Sequence, residues 1–140
     1  LDYNVKPEIE IFDLAMLYNA ASLISRGLLK SPPHVQFVMG IPNALPARRS
    51  VLEFLIKEYK EVLPVGTWTA AGIGRYQFEV AQWCLELGGN CRTGLEDNIK
   101  FDRSRLANSN AELVKKLVDV MPIYDRQPAS PTEAREILGL

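Results

Sequence analysis

A short extended stretch followed by apolar residues at helical spacing recurs four times along the 140 residues of the chain. Glu8–Asp13 (EIEIFD) alternates charged with apolar residues after Pro7, as the start of a short strand does. Leu17, Ala20, Ala21, Ile24 and Leu28 then recur at helical spacing, with Gly27 near the stop. His34–Gly40 (HVQFVMG), apolar and β-branched after Pro32-Pro33, predicts a second strand. The loop Ile41–Ala47 holds two prolines and leads into Arg48–Leu63, helical through Leu52, Leu55, Ile56, Tyr59 and Leu63 and closed by Pro64 and Gly66. Thr67–Ala71 predicts a third strand. Gly72-Ile73-Gly74 turns into a helix over Arg75–Leu87, whose Phe78, Ala81, Cys84 and Leu85 share one apolar face ending at Gly88-Gly89.

Asn90–Leu95 is the fourth strand candidate. Beyond Asn108, Ser109-Asn110-Ala111-Glu112 has the spacing of a capping box, and Leu113, Leu117, Val120 and Met121 follow it. Ser130-Pro131-Thr132-Glu133 repeats the device, with proline at the first helical position and Gly139 at the end. Strand then helix, four times with short connections, predicts right-handed βαβ units and a parallel α/β sheet.

The charges inside the strands decide between two such architectures. Glu8 and Glu10 share one parity of the first strand, and Arg92, Gly94 and Glu96 share one parity of the fourth. Buried charges are costly unless paired, so a single barrel interior holding both sets accounts for them better than a doubly wound sheet, which would bury them apart. In a barrel, residues of one parity face the axis, and those at the C-terminal rim form the site. If Asn90–Leu95 is extended, Arg92 and Glu96 lie about 13 Å apart at ~3.3 Å per residue, with Arg92 the deeper.

Composition removes several function classes. With 47% hydrophobic residues the chain has a globular composition. Lys+Arg 16 against Asp+Glu 17 leaves a net charge of −1, so no basic excess speaks for nucleic acid. No apolar run reaches the ~20 residues of a membrane span, and Leu1–Asp13 lacks the pattern of a signal peptide, so a cytoplasmic protein without a membrane partner is expected. Cys84 and Cys91 are too few for a disulfide scaffold or a four-cysteine zinc site and read as reduced thiols. The chain opens without Met a few residues before a strand, which suggests a truncated start.

The segment Asn90-Cys91-Arg92-Thr93-Gly94-Leu95-Glu96-Asp97-Asn98 concentrates charge where a strand meets its loop. Here the chain resembles the β-keto acid cleavage enzymes, the group containing 3-keto-5-aminohexanoate cleavage enzyme. The resemblance extends through Lys6–Asp13, Gly72–Arg75, Leu106-Ala107 with Ser109–Val114, and Ala134–Leu140, nearly the whole chain. It implies the C-terminal half of a (β/α)8 TIM barrel over residues 1–140, the N-terminal half being absent from this chain, and association into a homo-oligomer. It also implies a transferase that takes a β-keto acid and acetyl-CoA through a retro-Claisen reaction, at a divalent metal that is most often zinc.

Residue by residue, the resemblance implies Glu96 as a metal ligand, Asp97 as the carboxylate of proton transfer and Arg92 as the arginine that orients it. Glu10 is the chosen further glutamate of this network, with Glu8 the alternative. A Lewis-acidic metal stabilises negative charge on a keto oxygen, and a glutamate is a hard ligand suited to it. A base must lie within hydrogen-bond reach of its proton, and a neighbouring arginine fixes its direction. Two departures from the family pattern stand out. The family's HxH ligands have no counterpart, since His34 is the single histidine and begins a strand on the side away from the site. Asp102-Arg103-Ser104-Arg105 stands where a glycine is expected.

Other readings compete with these. Glu96-Asp97-Asn98 alone is an ordinary polar loop. Gly72-Ile73-Gly74 could cradle a phosphate, but it lacks the third glycine of a dinucleotide fingerprint, and such turns also serve close packing. Arg75 is open to the CoA phosphates, a substrate carboxylate or plain solvent. Trp68 and Trp83 read as core. The alternative function is a non-catalytic α/β domain binding a ligand or partner; such a domain would be monodisperse, whereas a half-barrel with an uncovered apolar interior would associate.

Overall fold

The computed structural model describes residues 5–140. The chain runs β1 (Glu8–Ile11), α1 (Leu14–Ser25), β2 (His34–Met39), α2 (Arg49–Val62), β3 (Thr67–Gly72), α3 (Gln77–Leu87), β4 (Asn90–Cys91), α4 (Asn110–Val118) and α5 (Pro131–Leu138). Short 3-10 turns occupy Gly74–Tyr76 and Met121–Tyr124. All neighbouring strands pair in parallel, in the order β1-β2-β3-β4. The order does not reverse within the sheet, as a doubly wound sheet requires.

Strand parity sorts the side chains as expected. Ile11, Val35, Phe37, Met39, Trp68 and Ala70 face the helices and form the main core with Leu17, Leu52, Leu55, Ile56 and Tyr59. Phe37 is fully buried there, edge-on to Tyr59 and tilted against Trp68, each at 6.4 Å between centroids. Trp83 packs on the same core from a partly buried position. The opposite face is mostly polar. Register places Glu10 beside Gln36, Gln36 beside Thr69 and Thr69 beside Asn90, so one row of hydrogen-bonding side chains crosses the whole sheet.

That row belongs to a curved sheet. β1 and β4 are three strand spacings apart, about 14 Å on a flat sheet at ~4.8 Å each, where side chains would stand parallel to one another. Arg92, just past β4, nevertheless meets Glu10 of β1 at 3.0 Å. Side chains on this face therefore converge, as those on the inside of a barrel wall do. The uncovered interior is lined largely by polar groups, not by the apolar surface expected of a half-barrel.

Several helix ends follow from local chemistry. Asp13 caps α1 by accepting from the Met16 N–H. The helix stops at Ser25, and Gly27 turns the chain at φ 71°, leaving Leu28 outside it and half-exposed. α3 starts later than expected, at Gln77, and buries Gln77, Val80, Ala81, Cys84 and Leu85, while Phe78 is partly covered by the Lys116 ammonium. α4 ends at Val118, short of Val120 and Met121, where Pro122 has no N–H to offer the Val118 carbonyl and the chain tightens into the 3-10 turn Met121–Tyr124. The capping box at Ser130 is complete, and Gly139 ends α5 at φ 68°. Among the described residues no helix is long and apolar enough to cross a membrane.

β4 is two residues long instead of six. It pairs only through Asn90 with Thr69 and Cys91 with Ala70, and everything from Arg92 on is drawn into a loop by bonds to other elements. The expected 13 Å separation of Arg92 and Glu96 is lost with the strand.

Candidate active site

The loop after β4 is built by groups from α3, α4 and the turn after β3. Gln77, 3% exposed, donates its amide to the Gly94 carbonyl at 2.8 Å and accepts from the Thr93 hydroxyl at 3.1 Å. The Asn110 side chain accepts from the Leu95 N–H at 2.7 Å. The Asn98 N–H closes the turn on the Gly94 carbonyl at 3.3 Å, and the Gly74 N–H binds the Asp97 carbonyl at 2.7 Å. Two glycines make the last contact possible. Gly74 takes φ 62°, which few side chains tolerate, and a Cβ on Gly72 would stand 2.4 Å from the Tyr76 carbonyl oxygen. The Gly72-Ile73-Gly74 turn thus serves close packing and holds the backbone of Asp97.

Arg92 is the hub of the charges. Its Nε and Nη2 bind the two oxygens of Asp97 at 2.9 and 2.8 Å, a bidentate pair. Nη1 reaches Glu10 at 3.0 Å, and Nη2 also lies 3.1 Å from Glu96. Gln36, 2% exposed, donates to the same Glu10 oxygen at 3.0 Å. Desolvation pulls the Arg92 guanidinium down, but hydrogen bonding to Asp97, with Glu96 and Glu10 adding to it, outweighs this and leaves it raised.

The four predicted side chains are therefore brought together, at different depths. The Asp97 side chain is 4% exposed, Arg92 25%, Glu10 44% and Glu96 85%. Only Asp97 is buried, so the cost anticipated for several buried charges falls on one well-paired carboxylate. Of the two strand glutamates, Glu10 reaches Arg92. Glu8 lies at the other end of β1 and faces His34 at 3.5 Å. His34 spends Nδ1 on the Thr67 hydroxyl at 2.7 Å and Nε2 on that of Thr69 at 3.1 Å, and burial lowers its pKa against a weaker upward pull from Glu8.

Gln36 and Gln77 were not singled out from the sequence, although one signal was available: Gln36 is the polar residue inside the otherwise apolar run Val35–Met39. Asp102 organises the segment that replaces the expected glycine. Its Oδ1 accepts from the Ser104 N–H at 2.7 Å, the Ser104 hydroxyl at 2.6 Å and the Arg105 N–H at 3.1 Å. Cys84 and Cys91 are both free thiols, Cys84 buried and Cys91 partly so.

For a divalent metal, the donor chemistry here fits one ligand. Glu96 offers a hard, outward-facing carboxylate beside a charge-compensated arginine. Among the described residues no group of three or more His, Cys, Asp or Glu could hold an ion by itself, so further ligands would have to come from elsewhere.

The family model for beta-keto acid cleavage enzyme matches residues 1–140. The chain is 49% identical to 3-oxoadipate:acetyl-CoA acetyltransferase of Cupriavidus necator, over 99% of its own length and 49% of that protein. It is 40% identical to 3-keto-5-aminohexanoate cleavage enzyme of Fusobacterium nucleatum, over 100% of its own length and 50% of that protein. The chain thus spans about half the length of the curated relatives it matches. Among solved structures, the ternary complex of ObcA with C4-CoA adduct and oxalate superposes with a TM-score of 0.84 over 97% of this chain and 38% of that one, at 19% identity, a likeness of fold. The curved parallel sheet and its helices are part of a (β/α)8 barrel, and the chain belongs to the beta-keto acid cleavage enzyme family.

Proposed function

We propose that this chain is the C-terminal half of a barrel that exchanges acyl groups between a β-keto acid and acetyl-CoA, giving acetoacetate and a new acyl-CoA by a retro-Claisen route. The observation that carries this reading is the Arg92–Asp97 pair, anchored to Glu10 across the sheet, at the end of the strand where barrel enzymes hold their chemistry. The names of the relatives, an acetyl-CoA acetyltransferase and a cleavage enzyme, support the choice of substrates.

Glu96 would be this chain's ligand to a divalent metal, with zinc the proposed ion, and such an ion would supply a Lewis acid to stabilise negative charge on a keto oxygen. Asp97 accepts and returns the proton. Each of its oxygens gives one lone pair to Arg92 and keeps another, so the carboxylate stays competent while its direction is fixed. Arg92 is the more exposed partner and presents its charge toward the open face, where an anionic substrate lies. Glu10, held by Gln36, keeps the guanidinium from swinging away from Asp97.

Two substitutions in the full-length protein separate the roles. Glu96→Gln should lower metal content, because an amide is a weaker ligand for a hard cation. Asp97→Asn should retain metal and lose turnover with acetyl-CoA by about 10²–10⁴-fold, the usual contribution of a positioned base. Wild-type turnover in Asp97→Asn would defeat the assignment.

A further inference from the structure

A cleft of about 840 Å³ opens beside the Arg92–Asp97 loop, and the chemistry described so far leaves it unused. Its walls come from the turn after β3, the start of α3, the segment after Asp97 and α4. Four cations line it: Arg75, Lys100, Arg103 and Lys116. Among the described residues none of them forms an ion pair. The two carboxylates in the lining do not cancel this charge, since there are four cations and Asp102 spends an oxygen on its own turn.

The same cleft is aromatic. Lys116 donates to the Phe101 carbonyl and sits 4.3 Å from the Phe78 ring centroid and 4.6 Å from that of Phe101. Its ammonium is thereby held between two rings before any ligand arrives. Arg75 is fixed over Tyr76 at 4.8 Å and donates to its hydroxyl at 2.6 Å. Unneutralised cations beside flat apolar surfaces suit a ligand with several phosphates and a planar base. The net charge of −1 favours a single nucleotide over a polymer, whose backbone needs a basic track.

Position links this cleft to the site. Gly74 and Asn98 both line it; Gly74 binds the Asp97 carbonyl and Asn98 follows Asp97 in sequence. If β3 and β4 are the last two strands of the barrel, the walls include the loops after strands seven and eight, a place where such barrels often bind phosphate.

We propose that the cleft holds the phosphorylated adenosine end of acetyl-CoA, with its thioester extending past Asn98 to Arg92 and Asp97. This rests on the acyl-exchange reading above. The test uses the full-length protein and a Lys100→Ala/Arg103→Ala variant, both positions lying outside the Arg92 cluster. Each is assayed with acetyl-CoA and with acetyl-pantetheine, the same thioester without its nucleotide. The KM for acetyl-CoA should rise about tenfold or more, the usual effect of losing a charged hydrogen bond, with kcat and the KM for acetyl-pantetheine unchanged. Equal effects on both thioesters, or none, would overturn the proposal.

Calorimetric titration with adenosine 3′,5′-bisphosphate is the second arm and needs no turnover. Wild type should bind it and the variant should bind about tenfold more weakly. If no thioester is turned over yet the bisphosphate binds in this way, the acyl-exchange reading fails and the nucleotide site stands. Absence of bisphosphate binding, or preferential binding of a single-stranded oligonucleotide, overturns the site.

Discussion

Arg92 serves three carboxylates with one planar group: both oxygens of Asp97, one of Glu10 and one of Glu96. A lysine cannot reproduce that fork, being a point charge on a flexible stem. Arg92→Lys in the full-length protein should therefore leave Asp97 misdirected and reduce kcat about 10²-fold, the scale of loss that small misplacements bring. Near-wild-type kcat would mean that charge alone, without bidentate geometry, suffices. Arg92, Glu96 and Asp97 were legible in the sequence because they crowd one short segment, whereas the alternation of charged and apolar residues in β1 offered Glu8 and Glu10 alike. Gln36 and Gln77 were not, since a glutamine becomes informative only once its partners, Glu10 for one and Gly94 for the other, are known to be near.

At the scale of elements, α4 shows how caps use what lies just outside them. Ser109 accepts from the Glu112 N–H as the capping-box spacing predicts, but the Glu112 carboxylate reaches the Asn108 N–H, one residue earlier than a standard box, and also takes Arg105 at 2.8 Å. Hydrogen bonding from Arg105, then from the Asn108 backbone, lowers its carboxyl from 4.5 to about 2. A carboxyl depressed on folding adds stability above its unfolded value and loses it as pH falls toward the folded one, so this contribution should fade between about 4.5 and about 2. Carbon-detected NMR titration should find Glu112 still ionised well below 4.5, and Arg105→Ala should bring its midpoint back toward that value. A wild-type midpoint near 4.5 would refute the cap. The strands and helices themselves were predictable from periodicity. The early end of β4 was not, because Gln77, Asn110 and Gly74, distant in sequence, pull the chain out of the sheet.

At the scale of the whole molecule, strand parity and the charges on one face were enough to choose a barrel over a doubly wound sheet. Curvature itself was not readable, and it is the meeting of Glu10 with Arg92 across four strands that reveals it. β4 leaves one edge open, beside a groove of about 570 Å³ whose lining includes Val114, Leu117 and Ile137. An open strand edge flanked by apolar side chains invites pairing, so the 140-residue chain alone should associate. Light scattering that finds a stable 15.7 kDa monomer would contradict this.

The acyl exchange can be followed by tracing carbon. Full-length protein given an unlabelled β-keto acid and acetyl-CoA labelled in both acetyl carbons should release acetoacetate carrying the label in its keto and methyl carbons, while the remainder of the keto acid appears, unlabelled, as a new CoA thioester. Unlabelled acetoacetate, or a keto acid consumed while the labelled acetyl-CoA stays intact, would contradict the proposed reaction.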